Sequence, residues 1–189
     1  MEKILENYQL NGNLLDIHTY PDPVLTKVAE PVTEFNEDLQ KLCLDMLYTM
    51  YNAPGIGLAA PQIGKSIRLF VIDVDYEREE TSEGSGEYTL SNFNPRIFIN
   101  PVFKSKDGQV SYQEGCLSLP GIYEEVVRAE EVELEYQDTE GNFHTLHADE
   151  LLAICLQHEN DHLDGIVFIE RLSTLKKNFF KKKLIKKKK

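Results

Sequence analysis

The segment His158-Glu159-Asn160-Asp161-His162 carries residue types that can bind a metal ion and move a proton. Because an α-helix completes a turn in about 3.6 residues, the imidazoles of His158 and His162 share one helix face and can reach one ion. Glu159 is rotated by about 100° from His158, so its carboxylate suits proton exchange with a metal-bound water better than coordination. The pattern predicts the mononuclear site of a hydrolase, although two hydrogen-bonded core histidines have the same spacing.

A third ligand is predicted at Cys116, in the segment Glu114-Gly115-Cys116-Leu117-Ser118-Leu119-Pro120. The segment has no helical pattern, so its extended backbone leaves the thiolate free to project toward a site. Two histidines and one cysteine leave one tetrahedral position open, as in catalytic rather than structural sites. A thiolate suits zinc or ferrous iron better than magnesium or calcium. A metal-bound water is the expected nucleophile, whereas Cys116 taken alone is more typical of a small buried apolar residue.

The sequence Gly55-Ile56-Gly57-Leu58-Ala59-Ala60-Pro61-Gln62 predicts a loop that packs closely against another surface. Its glycines and alanines allow the backbone to approach closely, and Gln62 then presents an amide that can donate to an oxyanion. A phosphate-binding loop is disfavoured, because the segment precedes its strand and lacks a third glycine and a helix start. Considered alone, Gln62 is more typical of an ordinary surface residue.

Other segments have the periodicity of the elements that must position these residues. Apolar residues recur every three or four positions up to Tyr51, which predicts a helix capped by Asn36 and ended before Pro54. The polar stretch 76–95 is expected to be an exposed insertion. Strands are predicted where β-branched or alternating apolar residues occur: residues 68–75, 96–102 and 132–146, the last as a hairpin.

The histidines are predicted to lie on a helix from about Glu150 to Leu163, capped by Asp149 and ended by Gly165. Its first half, residues 151–156, is apolar on all sides, which predicts a buried central helix surrounded by sheet. Strands and helices do not alternate regularly, so the expected class is α+β with mainly antiparallel or mixed sheets.

Three residues on this helix are predicted to wall an apolar pocket. Leu151, Ile154 and Cys155 precede His158 by seven, four and three residues and therefore lie on its metal-facing side. Substrate contacts are also predicted for the loop residues Gly55, Ile56 and Gly57.

Composition and charge limit the classes of function. The 189 residues are 41% hydrophobic, which is typical of one globular domain. Nine of the 20 basic residues and none of the 32 acidic ones lie in residues 176–189, so the remainder is strongly acidic and unsuited to binding DNA. Three cysteines do not form a disulfide framework. Neither a membrane span nor a targeting peptide is recognisable, and the protein is expected to be cytoplasmic.

Three motifs resemble those of the peptide deformylases: GIGLAAPQ at 55–62, EGCLS at 114–118 and QHExDHLxG at 157–165. The resemblance covers most of the chain and implies removal of formyl groups, as formate, from nascent formyl-methionyl polypeptides. It also implies Cys116, His158 and His162 as ligands, Glu159 as general acid and base, and Gln62 with the Leu117 N–H as oxyanion hole. The implied metal in cells is ferrous iron, often replaced by nickel, cobalt or zinc in preparations.

The sequence divides into a catalytic domain at residues 1–175 and a basic helical tail at 176–189. Leu172, Leu175, Phe179 and Leu184 keep helical spacing and predict an amphipathic helix. The resemblance suggests that this helix docks on the anionic ribosome near the emerging chain. A solvated or frayed terminus is the alternative.

Two other classes of protein compete with a deformylase. A zinc endopeptidase shares the HExxH helix but usually takes its third ligand downstream, whereas Cys116 lies upstream. A non-enzymatic ribosome-associated or structural-metal protein is disfavoured, because only three ligands are evident and Glu159 would have no purpose.

Overall fold

The computed structural model describes residues 8–82 and 84–187. The N-terminal segment in which no targeting peptide was predicted lies largely outside the described residues, as do Lys188 and Lys189 of the tail. The helices are α1 (Glu37–Asn52), α2 (Glu150–Leu163) and α3 (Thr174–Lys187). The strands are β1 (Gly57–Ala59), β2 (Leu69–Ile72), β3 (Glu77–Glu80), β4 (Tyr88–Ser91), β5 (Arg96–Asp107), β6 (Val110–Gly115), β7 (Tyr123–Arg128), β8 (Glu131–Gln137) and β9 (Phe143–Ala148). Short 3₁₀ turns lie at Pro23–Thr26, Ala60–Ile63 and Phe168–Arg171.

The strands form one five-stranded sheet and two hairpins. The sheet has the order β1-β2-β5-β8-β9, while β3 pairs with β4 and β6 pairs with β7. Every strand pair is antiparallel. The predicted α+β class with mainly antiparallel sheets is therefore confirmed, and the predicted hairpin at 132–146 is the β8–β9 pair.

Helix α2 is the buried helix that its apolar first half predicts. Eleven of its residues are buried, and it packs against β1, β2 and β8. It ends as predicted, because Gly165 adopts a φ of +70° that favours glycine. The predicted cap is wrong, since the Asp149 side chain accepts no capping hydrogen bond. Asp149 and Glu150 are exposed, and the buried part of α2 begins only at Ala153.

Local signals set the bounds of α1 more accurately than those of the strands. Asn36 caps α1 as predicted, and its Oδ1 accepts from the Leu39 N–H at 3.0 Å. Strand β2 is shorter than predicted because the chain turns at Asp73, whose carboxylate accepts from the N–H groups of Asp75 and Tyr76. Strand β5 continues beyond the predicted Val102, because its polar second half still pairs with β8 across two register shifts.

The stretch 76–95 is only partly the exposed insertion that its polarity predicts. It forms the hairpin β3–β4, and all four residues of β3 are exposed. Its base is not solvated, because Tyr76, Leu90 and Phe93 pack against the core cluster around α1. Apolar residues at the two ends thus fix a polar hairpin to the body.

The basic tail is helical, and only part of its predicted apolar stripe is buried, since Leu172 and Leu184 pack in the core and the other two members do not. Phe180 and Leu184 are 8% and 5% exposed and join the core cluster beside the turn that carries Cys116. Leu175 and Phe179 are 83% and 61% exposed. Within the described ranges, none of the helices has the length and apolar character needed to cross a bilayer.

Candidate active site

Two separate elements bring the three predicted ligands together. His158 and His162 project from one face of α2, and Cys116 follows the last residue of β6. One ligand atom from each residue lies within 4.8 Å of the others. The Cys116 Sγ and the His162 Nε2 are 3.3 Å apart. Both histidines are buried, and the arrangement matches the donor set expected from the sequence.

Glu114 orients one of these histidines. Its Oε2 lies 2.8 Å from the His158 Nδ1, which leaves the Nε2 of that ring directed toward Cys116. Arg128 donates to both oxygens of the Glu114 carboxylate, at 2.6 and 2.9 Å. Burial raises the pKa of Glu114, but the hydrogen bonds from Arg128 and His158 lower it to about 2. Glu114 therefore stays ionised behind the metal-binding face.

The same network continues along α2 to its far side. Arg128 also donates to Asp161 at 2.6 Å, and Arg171 donates to both oxygens of that carboxylate. The charged groups of Glu114, Arg128 and Asp161 are almost fully buried, so each needs these partners. Sequence analysis assigned no role to these residues. Asp161 was the available signal, because an acidic residue in a helix predicted to be buried requires a basic partner.

Glu159 lies beside the ligands in a tightly packed position. A Cβ atom on Gly57 would lie 2.8 Å from the Glu159 Cδ, so only glycine allows β1 to pass this close. The Oε2 of Glu159 is buried and has no hydrogen-bond partner among the described residues. Burial raises the pKa of Glu159 to about 7. A carboxyl group with such a pKa can both accept and release a proton near neutral pH.

Gln62 is buried in the site and is not a surface residue. Its Oε1 accepts from the Ala59 N–H at 2.8 Å, which fixes the orientation of the amide. Its Nε2 lies 3.1 Å from the Ser118 Oγ and 3.5 Å from the Cys116 Sγ. The amide N–H groups thus point at the site, as the expectation of an oxyanion donor requires.

A cavity of about 470 Å³ opens onto these residues. Its lining includes every residue predicted to contact substrate: Gly55, Ile56, Gly57, Leu151, Ile154 and Cys155. Leu117 lines it as well, next to Cys116. Two tyrosines that sequence analysis did not single out, Tyr112 and Tyr123, also line it and are 41% and 67% exposed. Neither tyrosine belongs to a recognised sequence motif. The hairpin β6–β7 brings both to the cavity.

The ligand group fits a divalent transition-metal ion. One sulfur and two imidazole nitrogens are the donors that zinc and ferrous iron prefer. The His162 Nδ1 is buried without a hydrogen-bond partner among the described residues, so its ring is not explained as an ordinary hydrogen-bonded core histidine. The three cysteines are free thiols. A buried HExxH helix with an upstream cysteine in an α+β fold is typical of metal-dependent hydrolases.

Comparison with known proteins gives the family. The family model for polypeptide deformylase matches residues 14–178 of this chain. The chain belongs to the polypeptide deformylase family, whose members remove N-formyl groups from nascent peptides.

Individual relatives agree with this assignment. Peptide deformylases of Neisseria meningitidis and Chromobacterium violaceum are 50% and 49% identical over 176 residues, which are 93% of this chain and 97% of each relative. The crystal structure of a peptide deformylase from Legionella pneumophila has a TM-score of 0.78 and 43% identity, over 93% of this chain and 95% of that one. A peptide deformylase from Synechococcus elongatus in complex with actinonin has a TM-score of 0.76 and 39% identity, over 94% and 91%.

Proposed function

We propose that this protein hydrolyses the N-formyl group from the N-terminal methionine of newly made polypeptides in a metal-dependent reaction. Water adds to the formyl carbon, the bond from that carbon to the amine nitrogen breaks, and formate leaves. The observation that carries the proposal is the convergence of three metal-binding side chains beside one cavity, which Cys116, His158 and Glu159 line.

Cys116, His158 and His162 would hold the metal ion. When bound, a divalent ion supplies a Lewis acid that lowers the pKa of a coordinated water and polarises a carbonyl group. Ferrous iron is the proposed ion in cells, with zinc, nickel or cobalt as replacements. Glu114 would keep His158 in the tautomer that offers its Nε2 to the ion, because the Nδ1 proton is held by the carboxylate.

Glu159 would act as general base and then as general acid. Its carboxylate accepts a proton from the attacking water and returns it to the leaving amine nitrogen. The raised pKa of about 7 supports both steps, since neither protonation state is strongly favoured near neutral pH. The close passage of Gly57 leaves this side chain little space to move away from the reacting atoms.

Gln62 and the Leu117 N–H would stabilise the negative charge that develops on the formyl oxygen. The Ala59 N–H holds the Gln62 Oε1, so the amide donor is already oriented before substrate binds. Loss of one such donor typically lowers the rate by about 10²- to 10³-fold.

The methionine side chain of the substrate would enter the apolar part of the cavity. Leu151, Ile154 and Cys155 wall this part, and all three come from the α2 face that also carries His158. Strand β1 begins at Gly57 and lies at an edge of the described five-stranded sheet, so this residue, with Gly55 and Ile56 before it, can align the peptide main chain.

The decisive experiment measures formate release from formyl-Met-Ala-Ser under anaerobic conditions, with the iron- or nickel-loaded protein. Wild type should release formate, and Glu159→Ala should be slower by about 10²- to 10⁴-fold. The same samples are incubated with an unformylated peptide, whose cleavage would indicate an endopeptidase instead. Absence of formate from the metal-loaded wild type would reject the proposal.

We further propose that the protein works in the cytoplasm and that α3 docks on the ribosome. The described lysines Lys182, Lys183 and Lys186 are exposed, and the helix presents Leu175 and Phe179 to solvent beside them. Exposed cations favour the anionic surface of ribosomal RNA.

A further inference from the structure

The inserted hairpin, residues 76–95, is joined to the wall of the cavity by one hydrogen bond. The Tyr76 hydroxyl donates to the Gly55 carbonyl oxygen at 3.2 Å. Gly55 lines the cavity, and a Cβ atom on it would lie 2.9 Å from the Leu117 Cδ1. The loop therefore lies between the first residue of the hairpin and the residue that follows Cys116.

A buried carboxylate fixes the position of Tyr76 itself. Asp73 is 0% exposed and accepts four hydrogen bonds. Its Oδ1 accepts from the N–H groups of Asp75 and Tyr76, at 2.9 and 3.1 Å. Its Oδ2 accepts from the Tyr51 hydroxyl and the Asn94 N–H, at 2.6 and 2.8 Å. All of its acceptor sites are occupied, so both ends of the hairpin are held to α1.

Asp73 also contacts the loop directly through its backbone. The Asp73 N–H donates to the Ile56 carbonyl oxygen at 3.0 Å. The Tyr76 ring packs edge-on against Tyr51, with a centroid distance of 4.9 Å. The Gly55 N–H in turn donates to the carbonyl oxygen of Met50 in α1. The loop is thus held from α1 on one side and from the hairpin base on the other.

We propose that Tyr76 is a positioning residue, through which the inserted hairpin fixes the Gly55–Gly57 segment at the distance from Leu117 that a formylated peptide requires. The inference rests on the proposed function, because it assigns this segment to substrate binding. Tyr76 touches the carbonyl of the loop and not the reacting atoms. Its loss should therefore weaken substrate binding more than it slows the chemical step.

The test compares Tyr76→Phe with Tyr88→Phe in the metal-loaded full chain. Tyr88 is a matched control, because it lies in the same hairpin, is 46% exposed and stacks with Arg78. Both substitutions remove one hydroxyl and keep the ring. For Tyr76→Phe, the KM for formyl-Met-Ala-Ser should rise about 2- to 12-fold, the range of a single neutral hydrogen bond, with kcat unchanged within about 2-fold. Tyr88→Phe should leave both constants unchanged.

Hydrogen exchange of the amides of residues 55–58 is the second measurement, because it does not depend on turnover. Exchange should be faster in Tyr76→Phe than in wild type or Tyr88→Phe. Two outcomes would assign Tyr76 a purely structural role and overturn the proposal. One is faster exchange with an unchanged KM, and the other is a lower melting temperature with exchange and KM unchanged. If wild type releases no formate, the proposed function fails, and with it the substrate-positioning role. If wild type is active and Tyr76→Phe matches it, only this inference fails.

Discussion

Helices α2 and α3 have the same length, 14 residues, and opposite environments. Eleven residues of α2 are buried, including the charged residues Glu159 and Asp161. Most described residues of α3 are exposed or partly exposed, and its lysines form ion pairs at the surface, such as Lys181 with Glu170. The comparison indicates that burial makes the polar side chains of α2 depend on protein partners, whereas water can serve those of α3.

Within α2, two buried acids differ in the same way. Asp161 is neutralised by two arginines, whereas Glu159 keeps an oxygen without a hydrogen-bond partner among the described residues. The first arrangement supports the fold around the metal-binding face, and the second leaves a carboxyl group available for proton transfer. The following predictions test this division, from the largest effect to the smallest.

Glu159→Ala should separate function from stability on α2. The rate of formate release should fall by about 10²- to 10⁴-fold, because the proposed general base and acid is removed. The free energy of unfolding should be unchanged or higher, since a buried carboxylate with an unsatisfied oxygen is removed. Urea denaturation of both proteins measures this, and a large loss of stability would show that Glu159 supports the fold as Asp161 does.

Arg128→Met should have the opposite profile, with its main effect on stability. It leaves Glu114 and Asp161 buried without their shared partner, so the free energy of unfolding should fall by about 3–5 kcal/mol. Arg78→Met is the control, because Arg78 is exposed on the hairpin, and it should change stability by less than about 0.5 kcal/mol. Chemical denaturation measures both. Equal values for the two variants would mean that the buried network contributes nothing.

Neighbouring phenylalanines on α3 provide a matched pair. Phe180→Ala should lower the free energy of unfolding by about 2–4 kcal/mol, because Phe180 packs in the core cluster beside the Cys116 turn. Phe179→Ala should change it by less than about 0.5 kcal/mol, because that ring is 61% exposed. Thermal and urea unfolding distinguish them, and a larger effect at Phe179 would contradict this assignment of the buried face.

Replacing Lys182, Lys183 and Lys186 by Gln should have the smallest effect on the isolated protein. All three are exposed, so stability and turnover of a short formyl peptide should stay near wild type. Co-sedimentation with ribosomes at low salt should weaken, because three cations are lost from the docking surface. These substitutions are preferable to deleting the tail, since deletion also removes Phe180 and Leu184 from the core. Unchanged co-sedimentation would reject docking through α3.

Local sequence signals predicted the elements whose bounds depend on neighbouring residues. The cap at Asn36 and the glycine at Gly165 act within one helical turn, so the bounds of α1 and α2 agree with the structure. The β8–β9 hairpin depends on alternation and a tight turn, which are equally local. Strand β2 was overestimated, because the chain turns at Asp73, whose buried carboxylate also accepts from Tyr51 and Asn94, each at least 21 positions away.

The sequence by itself determined the metal-binding residue types, their spacing on α2 and the α+β class, because these follow from helical geometry and from the order of the elements. It did not determine which face of α3 is buried, since apolar residues occur on both faces and only the cluster beside Cys116 selects Phe180. Nor did it predict that Arg128 would hold Glu114 and Asp161, or that Tyr76 would reach Gly55. Those contacts depend on which distant segments pack together, and tertiary structure alone decides that.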